Sequence, residues 1–123
     1  MLTLVVDDNK LFRQYMVEVL NEHFPVMRIA VAQDADEAWR QVQLYSPDLI
    51  FMDIHMPGCN GLELTRKIKD RYPGTVVIVL TSYDLPEYQE AARSNGASFF
   101  LTKGKTSQAE ILSLVDGFAL AHS

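Results

Sequence analysis

Short apolar runs alternate along the chain with segments whose hydrophobic residues recur at helical spacing. The runs are LTLVV at 2–6, MRIAV at 27–31, DLIFM at 48–52, TVVIVL at 75–80 and SFFLT at 98–102. Several are apolar at consecutive positions, the pattern of strands covered on both faces of a parallel sheet. Between them, residues 9–23 predict a helix with Leu11, Phe12, Tyr15, Met16, Val19 and Leu20 on one broad stripe. Residues 35–45 carry Ala38, Val42 and Tyr45 at helical spacing, and 61–72 align Leu64, Ile68 and Tyr72. The segment 86–95 offers Tyr88, Ala91 and Ala92, a thin apolar face, and 106–121 predicts a last helix burying Ile111, Leu114, Val115 and Phe118. Turn-forming residues separate the elements: Pro25, SPD at 46–48, PGCNG at 57–61, PG at 73–74 and Gly96.

Five successive βα units predict an α/β fold, a doubly wound parallel sheet with helices on both faces and right-handed crossovers. No internal repeat, low-complexity tract or linker interrupts the pattern. The 123 residues are therefore expected to form one domain, 1–123, with no effector domain in this chain.

Polar residues collect where the strands end. Asp7 and Asp8 follow the first strand, Asp53 the third, Thr81 and Ser82 the fourth, and Lys103 the fifth. In open α/β sheets, ligands bind outside the carboxyl ends of the strands. If the first, third, fourth and fifth strands are neighbours, these side chains meet in one shallow pocket. Two carboxylates about 4 Å apart repel by roughly 4 kcal/mol at an effective dielectric near 20, so protons or a cation must compensate. Oxygen donors without His or Cys suit Mg²⁺, which takes one or two carboxylates plus a substrate phosphate. Asp53 is then a candidate acceptor, since a carboxylate can attack a phosphoryl group and form an aspartyl phosphate. The metal and Lys103 would neutralise charge on the transferred oxygens, and Thr81 would donate a hydrogen bond to one of them. Asp7, Asp8 and Asn9 also suit the N-cap of the first helix, but capping leaves Asp53 and Lys103 unexplained.

Composition narrows the classes further. Hydrophobic residues make up 48% and charged residues 22%, a folded globular balance. A formal net charge of −5 and the lack of any Lys/Arg cluster argue against direct nucleic-acid binding. Cys59 stands alone, with no internal disulfide partner and no metal-ligand spacing. No run approaches the ~18 apolar residues of a membrane span, and no basic leader precedes the first strand, so a cytoplasmic protein is expected.

The motifs VVDDN, DLIFMDIHMPGCNGLEL, VIVLTSYD and GASFFLTK, in that order and over nearly the whole chain, resemble the receiver domain of two-component response regulators, the CheY-like superfamily. The resemblance implies a flavodoxin-like (βα)5 fold of strand order 2-1-3-4-5, with Asp53 as phosphoacceptor. It further implies that Asp8 and Asp53 ligate Mg²⁺ directly with the backbone carbonyl of His55, while Asp7 acts mainly through water. Thr81 and Lys103 match the family's hydroxyl and lysine, and Phe100 the aromatic whose rotamer is coupled to Thr81. Pro57 and Gly61 match the loop after the acceptor strand. Many receivers follow the lysine with a cis proline. Here Gly104 does, and since a cis bond without proline costs about 2.5–4 kcal/mol, a trans bond is expected. Receivers joined to LuxR/NarL-type helix-turn-helix domains often lack that proline, and VVDDNKLFR resembles their N-termini.

A phosphorylation-dependent switch follows from the resemblance. A sensor histidine kinase or histidine phosphotransfer protein would donate to Asp53, and the surface of the fourth helix, fifth strand and fifth helix would change. The output, transcription, would pass through an effector or DNA-binding domain outside this chain; homodimer formation is left open. Such a domain assists its own phosphoryl transfer and dephosphorylation without being a turnover enzyme. His55 and Tyr83 are read either as residues tuning water access to the phosphoryl group or as plain loop residues, and Trp39 as packing. Two other classes compete: a binding module of the same fold that works without phosphorylation, and an aspartate-nucleophile phosphatase. The latter places an acid two residues after its nucleophile, where this chain has His55.

Overall fold

The structure, a computed structural model, describes residues 1–56 and 58–121, the side chains of Cys59, Leu120 and Ala121 excepted. In chain order the elements are β1 Leu2–Val6, α1 Lys10–His23, β2 Arg28–Ala32, α2 Ala35–Tyr45, β3 Leu49–Met52, β4 His55–Met56, β5 Cys59–Asn60, α3 Gly61–Arg71, β6 Val76–Thr81, α4 Pro86–Ser94, β7 Phe99–Thr102 and α5 Gln108–Ala121. The five long strands form one parallel sheet in the order β2-β1-β3-β6-β7. Counting the long strands alone, that order is 2-1-3-4-5. The two-residue strands β4 and β5 form a separate antiparallel pair, with His55 opposite Asn60 and Met56 opposite Cys59. This pair lies in the stretch whose breakers separate the third strand from the third helix.

Successive strand residues point to opposite faces, and the burial pattern follows that period. Leu4, Val6, Ile50, Met52 and Val77 pack against Ala38 and Val42 of α2 and Leu64 and Ile68 of α3. Their neighbours Val5, Leu49, Phe51, Ile78 and Leu80 pack on the other face against Met16 and Leu20 of α1 and Ile111 and Val115 of α5. A smaller cluster of Ile54, Leu62, Val79 and Ala92 lies under α4. Each fully buried aliphatic side chain contributes about 1.5–3 kcal/mol, so two covered faces make β1, β3 and β6 the rigid centre of the molecule.

The helical stripes are narrower than spacing alone predicts. Leu11 is 76% exposed and Tyr15 40% exposed, while Met16, Val19 and Leu20 form the buried line of α1. At about 100° per residue, Leu11 lies about 140° round the helix from Met16. Tyr45, the last residue of α2, is 57% exposed. Leu114 and Phe118 of α5 are half-buried. The face of α4 is as thin as expected, with Ala92 its buried residue.

Strand β2 is an edge, and Val31 on it is partly exposed. The side-chain amide of Gln41 donates to the Val31 carbonyl at 2.7 Å, occupying one acceptor along that edge. The starts of α1, α2 and α3 are capped by side chains: Asn9 accepts from the Phe12 N–H at 3.0 Å, Asp34 from Glu37 at 2.8 Å and Asn60 from Leu62 at 2.7 Å. Asn9→Ala is expected to lower stability by about 1 kcal/mol, which a shift of the urea unfolding midpoint at constant slope would register. Among the described residues, no helix is long and apolar enough to cross a membrane.

Candidate functional site

The sheet order places the ends of β1, β3, β6 and β7 side by side. Val6 pairs with Met52, and Thr81 with Thr102, so the next residue of each strand meets its neighbour at one rim. Backbone bonds carry the ladder one step further: Asp53 N–H donates to the Val6 carbonyl at 3.0 Å, and Lys103 N–H to the Thr81 carbonyl at 2.8 Å. Asp7, Asp53 and Thr81 are thereby held on the rigid centre of the fold, with Lys103 beside them at the end of the edge strand β7.

One carboxylate oxygen from each of Asp7, Asp8 and Asp53 lies within 4.8 Å of the others. Asp7 is 1% and Asp53 7% exposed, whereas Asp8 faces solvent. The Lys103 ammonium sits 2.6 Å from Asp7 Oδ2 and 3.7 Å from Asp53 Oδ2. It also lies 4.2 Å from the centre of the Phe12 ring. Asp7 is held from several sides: its Oδ1 accepts from the Asn9 N–H at 2.9 Å, and its backbone carbonyl accepts from the Arg13 guanidinium at 2.8 Å. Asp53 Oδ1 accepts from the Ile54 N–H at 2.9 Å. Thr81 is fully buried, and its hydroxyl oxygen accepts from the Tyr83 N–H at 3.3 Å.

Burial raises the pKa of Asp53 above the ordinary carboxylate value, and the Asp7 charge raises it further. Lys103, the Ile54 N–H and the Thr81 hydroxyl offset this only in part. Three carboxylates beside one ammonium leave an excess of negative charge in a pocket of oxygen donors alone. A hard divalent cation fits that donor set.

Asp7, Asp8, Asp53, Thr81 and Lys103 thus share one pocket, as the strand-end pattern predicts. His55 stands on its rim, where its ring centre is 4.0 Å from that of Tyr83 and 5.7 Å from that of Tyr88. Phe100 is elsewhere, half-buried beside Ile54, Leu62, Val79 and Ala92, with Tyr88 packed against the same cluster. Ser82 is exposed. Trp39 packs on α2 against Tyr72 and beneath the Lys67 ammonium. Pro57 and the Cys59 side chain lie outside the described residues. Lys103–Gly104 is a trans peptide, and Gly104 takes φ +83°, a conformation that favours glycine.

Gly61 brings helix α3 hard against Asp53. Its N–H donates to the Ile54 carbonyl at 2.7 Å, and a Cβ built on it would stand 1.9 Å from the Asp53 carbonyl oxygen. Sequence reasoning missed the grip of Arg13 on Asp7 and the ring of Phe12 beneath Lys103. Phe12 reads as core from its spacing, and nothing in the sequence pairs residue 12 with residue 103. It also missed the ion pair of Lys105 with Asp84, which ties the loop after β7 to the loop after β6 and holds the Asp84 carboxyl below its usual range.

Residues 3–116 match the family model described as the response regulator receiver domain. The chain is 37% identical over 100 residues to the transcriptional regulatory protein DegU of Brevibacillus brevis, covering 81% of this chain and 42% of that protein. It is 33% identical over 112 residues to the oxygen regulatory protein NreC of Staphylococcus aureus, covering 90% and 52%. The chain spans about half the length of these relatives. Among solved structures it is similar to a LuxR-family DNA-binding response regulator from Staphylococcus aureus, with TM-score 0.86 and 26% identity over 94% of this chain and 96% of that one. The NarL signal receiver domain from Mycobacterium tuberculosis is equally similar, with TM-score 0.86 and 27% identity over 96% and 94%.

Proposed function

Because the chain belongs to the response regulator receiver family, with LuxR/NarL-type members among its relatives, we propose that it is a signalling switch that takes a phosphoryl group onto Asp53. One observation carries this reading: the carboxylates of Asp7, Asp8 and Asp53 gather within 4.8 Å beside the single ammonium of Lys103.

Asp53 Oδ1 is occupied by the Ile54 N–H, which leaves Oδ2, the oxygen facing Lys103, as the nucleophile. A bond forms from Oδ2 to phosphorus while the bond from phosphorus to the donor breaks, the donor being a phosphohistidine nitrogen of a kinase or phosphotransfer protein. Lys103 offsets charge on the transferred oxygens. Asp8 and Asp53, with the His55 carbonyl, would hold Mg²⁺, and Asp7 would act through water, in keeping with the partners that already occupy both its carboxylate oxygens. When bound, the metal neutralises negative charge on the phosphoryl oxygens.

Once Asp53 carries the group, Thr81 turns its hydroxyl to a phosphoryl oxygen and Phe100 moves toward the space Thr81 vacates. A cavity of about 230 Å³ lined by Ala92, Ala97, Ser98 and Phe100 lies between α4 and β7, and the thin face of α4 gives this side little to hold it rigid. The surface of α4, β7 and α5 is then the part that changes. The length of the relatives and the words transcriptional regulatory in one of their names support a DNA-binding output domain beyond this chain, acting in the cytoplasm. The domain assists its own modification and is not a turnover enzyme. A phosphatase would use position 55 as an acid, whereas the His55 ring is engaged with Tyr83 and Tyr88.

The test is intact-mass measurement after incubation with acetyl phosphate and Mg²⁺. One added phosphoryl group is expected on the native chain and none on Asp53→Asn. Equal labelling of the two would overturn the acceptor assignment.

A further inference from the structure

Four contacts around Lys103 close into a ring. The Asn9 N–H donates to Asp7 Oδ1 at 2.9 Å, and the Phe12 N–H donates to Asn9 Oδ1 at 3.0 Å. The Phe12 ring centre lies 4.2 Å from the Lys103 ammonium, which donates to Asp7 Oδ2 at 2.6 Å. The capping turn of α1 and the lysine from the far strand β7 are therefore one mechanical unit, although 96 residues separate Asp7 from Lys103.

An ammonium is a point charge on a flexible four-carbon stem, and nothing in its own chemistry aims it. At 15% side-chain exposure, Lys103 has lost most of the water that would otherwise surround it. Asp7 takes one of its directions at short range, and the negative face of the Phe12 ring takes another. What remains points toward Asp53 Oδ2, still 3.7 Å away, the position where charge develops when phosphorus arrives. Phe12 itself has little freedom. Its backbone is fixed by the Asn9 cap, its ring is half-buried against the core beneath α1 and α5, and Tyr15 contacts it at 5.7 Å between centroids.

We propose that Phe12 is a positioning residue for phosphoryl transfer, its ring holding the Lys103 ammonium over Asp53. The proposal rests on the acceptor reading above and adds to it a residue that touches neither phosphoryl group nor metal. Leucine at this position keeps apolar volume but has no π face, and tyrosine keeps the face.

In the full chain, with acetyl phosphate and Mg²⁺, Phe12→Leu should label about 3–10-fold more slowly than the native protein, and Phe12→Tyr should recover the native rate to within about 2-fold. In a Lys103→Met background, Phe12→Leu should have no further effect. Proton NMR supplies a readout independent of rate: the Lys103 methylene next to the ammonium should be shifted upfield by the ring in the native protein and in Phe12→Tyr, and return to its ordinary position in Phe12→Leu. A folded Phe12→Leu variant that labels at the native rate, or that slows labelling equally without Lys103, or that leaves the methylene shift unchanged, overturns the proposal. Equal labelling of Asp53→Asn would instead strike down the acceptor reading, so the two failures are separable.

Discussion

Asp53→Asn should abolish phosphoryl labelling and, at neutral pH, make the fold more stable. Most substitutions of a buried hydrogen-bonded group destabilise, so the second half of this expectation is the sharper one. Asparagine retains the oxygen that accepts from the Ile54 N–H, and Lys103 keeps its shorter contact, to Asp7. What disappears is a desolvated negative charge facing a second one. The pKa of Asp53 is raised on folding, so its ionised form is the one the fold disfavours. Below the unfolded value of 3.8 the carboxyl is neutral in both states and carries no penalty. As pH rises through 3.8 and then through the higher folded value, the penalty grows, and above that value it is complete. The gap between the proteins should therefore widen as pH rises and vanish as pH falls below 3.8. A gap on the order of 1 kcal/mol would raise Tm by about 4 °C in a domain of this size. Added Mg²⁺ should narrow it, since a ligand that binds the folded native protein stabilises that protein alone. Thermal unfolding across this pH range checks the sign. A native protein more stable than Asp53→Asn at pH 7 without Mg²⁺ would contradict it.

Gly61→Ala should be the most damaging single-methyl change in the molecule. The added carbon would meet the Asp53 carbonyl oxygen at 1.9 Å, the Asp53 carbonyl carbon at 2.9 Å and the Ile54 Cα at 3.1 Å. All three are backbone atoms, which cannot rotate away as a side chain would. Relief requires α3 to lift from the end of β3, breaking the Gly61–Ile54 hydrogen bond and moving Asp53 itself. A loss of about 3 kcal/mol or more is expected, with Tm falling about 10 °C or more. Gly74→Ala is the matched control, because a Cβ there meets nothing within 4 Å and its φ is not positive; its change should stay within about 0.5 kcal/mol. Urea unfolding of the two variants decides the matter. If Gly61→Ala unfolds together with the native protein, the close approach has been misread.

The architecture was legible because its determinants are local and redundant. The mostly apolar runs at 2–6, 48–52 and 75–80 are too short for buried helices and suit strands covered twice, and the breakers between them are strong. The pocket was legible for a related reason: the chain spends acidic residues and a lysine where strands end, and sheet topology brings strand ends together. Less could be read where the outcome depends on neighbours distant in sequence. Spacing placed Leu11, Tyr15 and Tyr45 on apolar stripes, yet how far a stripe is covered depends on the element opposite, and all three are exposed. Asp7 and Asp8 are adjacent in sequence and opposite in fate, one nearly inaccessible and one in solvent, because successive residues leaving a strand face different ways. The bonds from Arg13 and Phe12 into the pocket depend on side-chain reach across the fold, which no periodicity encodes.

Strand β2 ends the sheet on one side, and an open strand edge is a template on which a second molecule can add its own strand. The amide of Gln41, reaching back from α2 to the Val31 carbonyl, takes away one of the acceptors such an intruder would need. A charged Arg28 stands exposed at the start of the same strand. Protection against fibre-like stacking is thus built into the scaffold on the edge of the sheet opposite β7, away from the Asp7, Asp53 and Lys103 pocket.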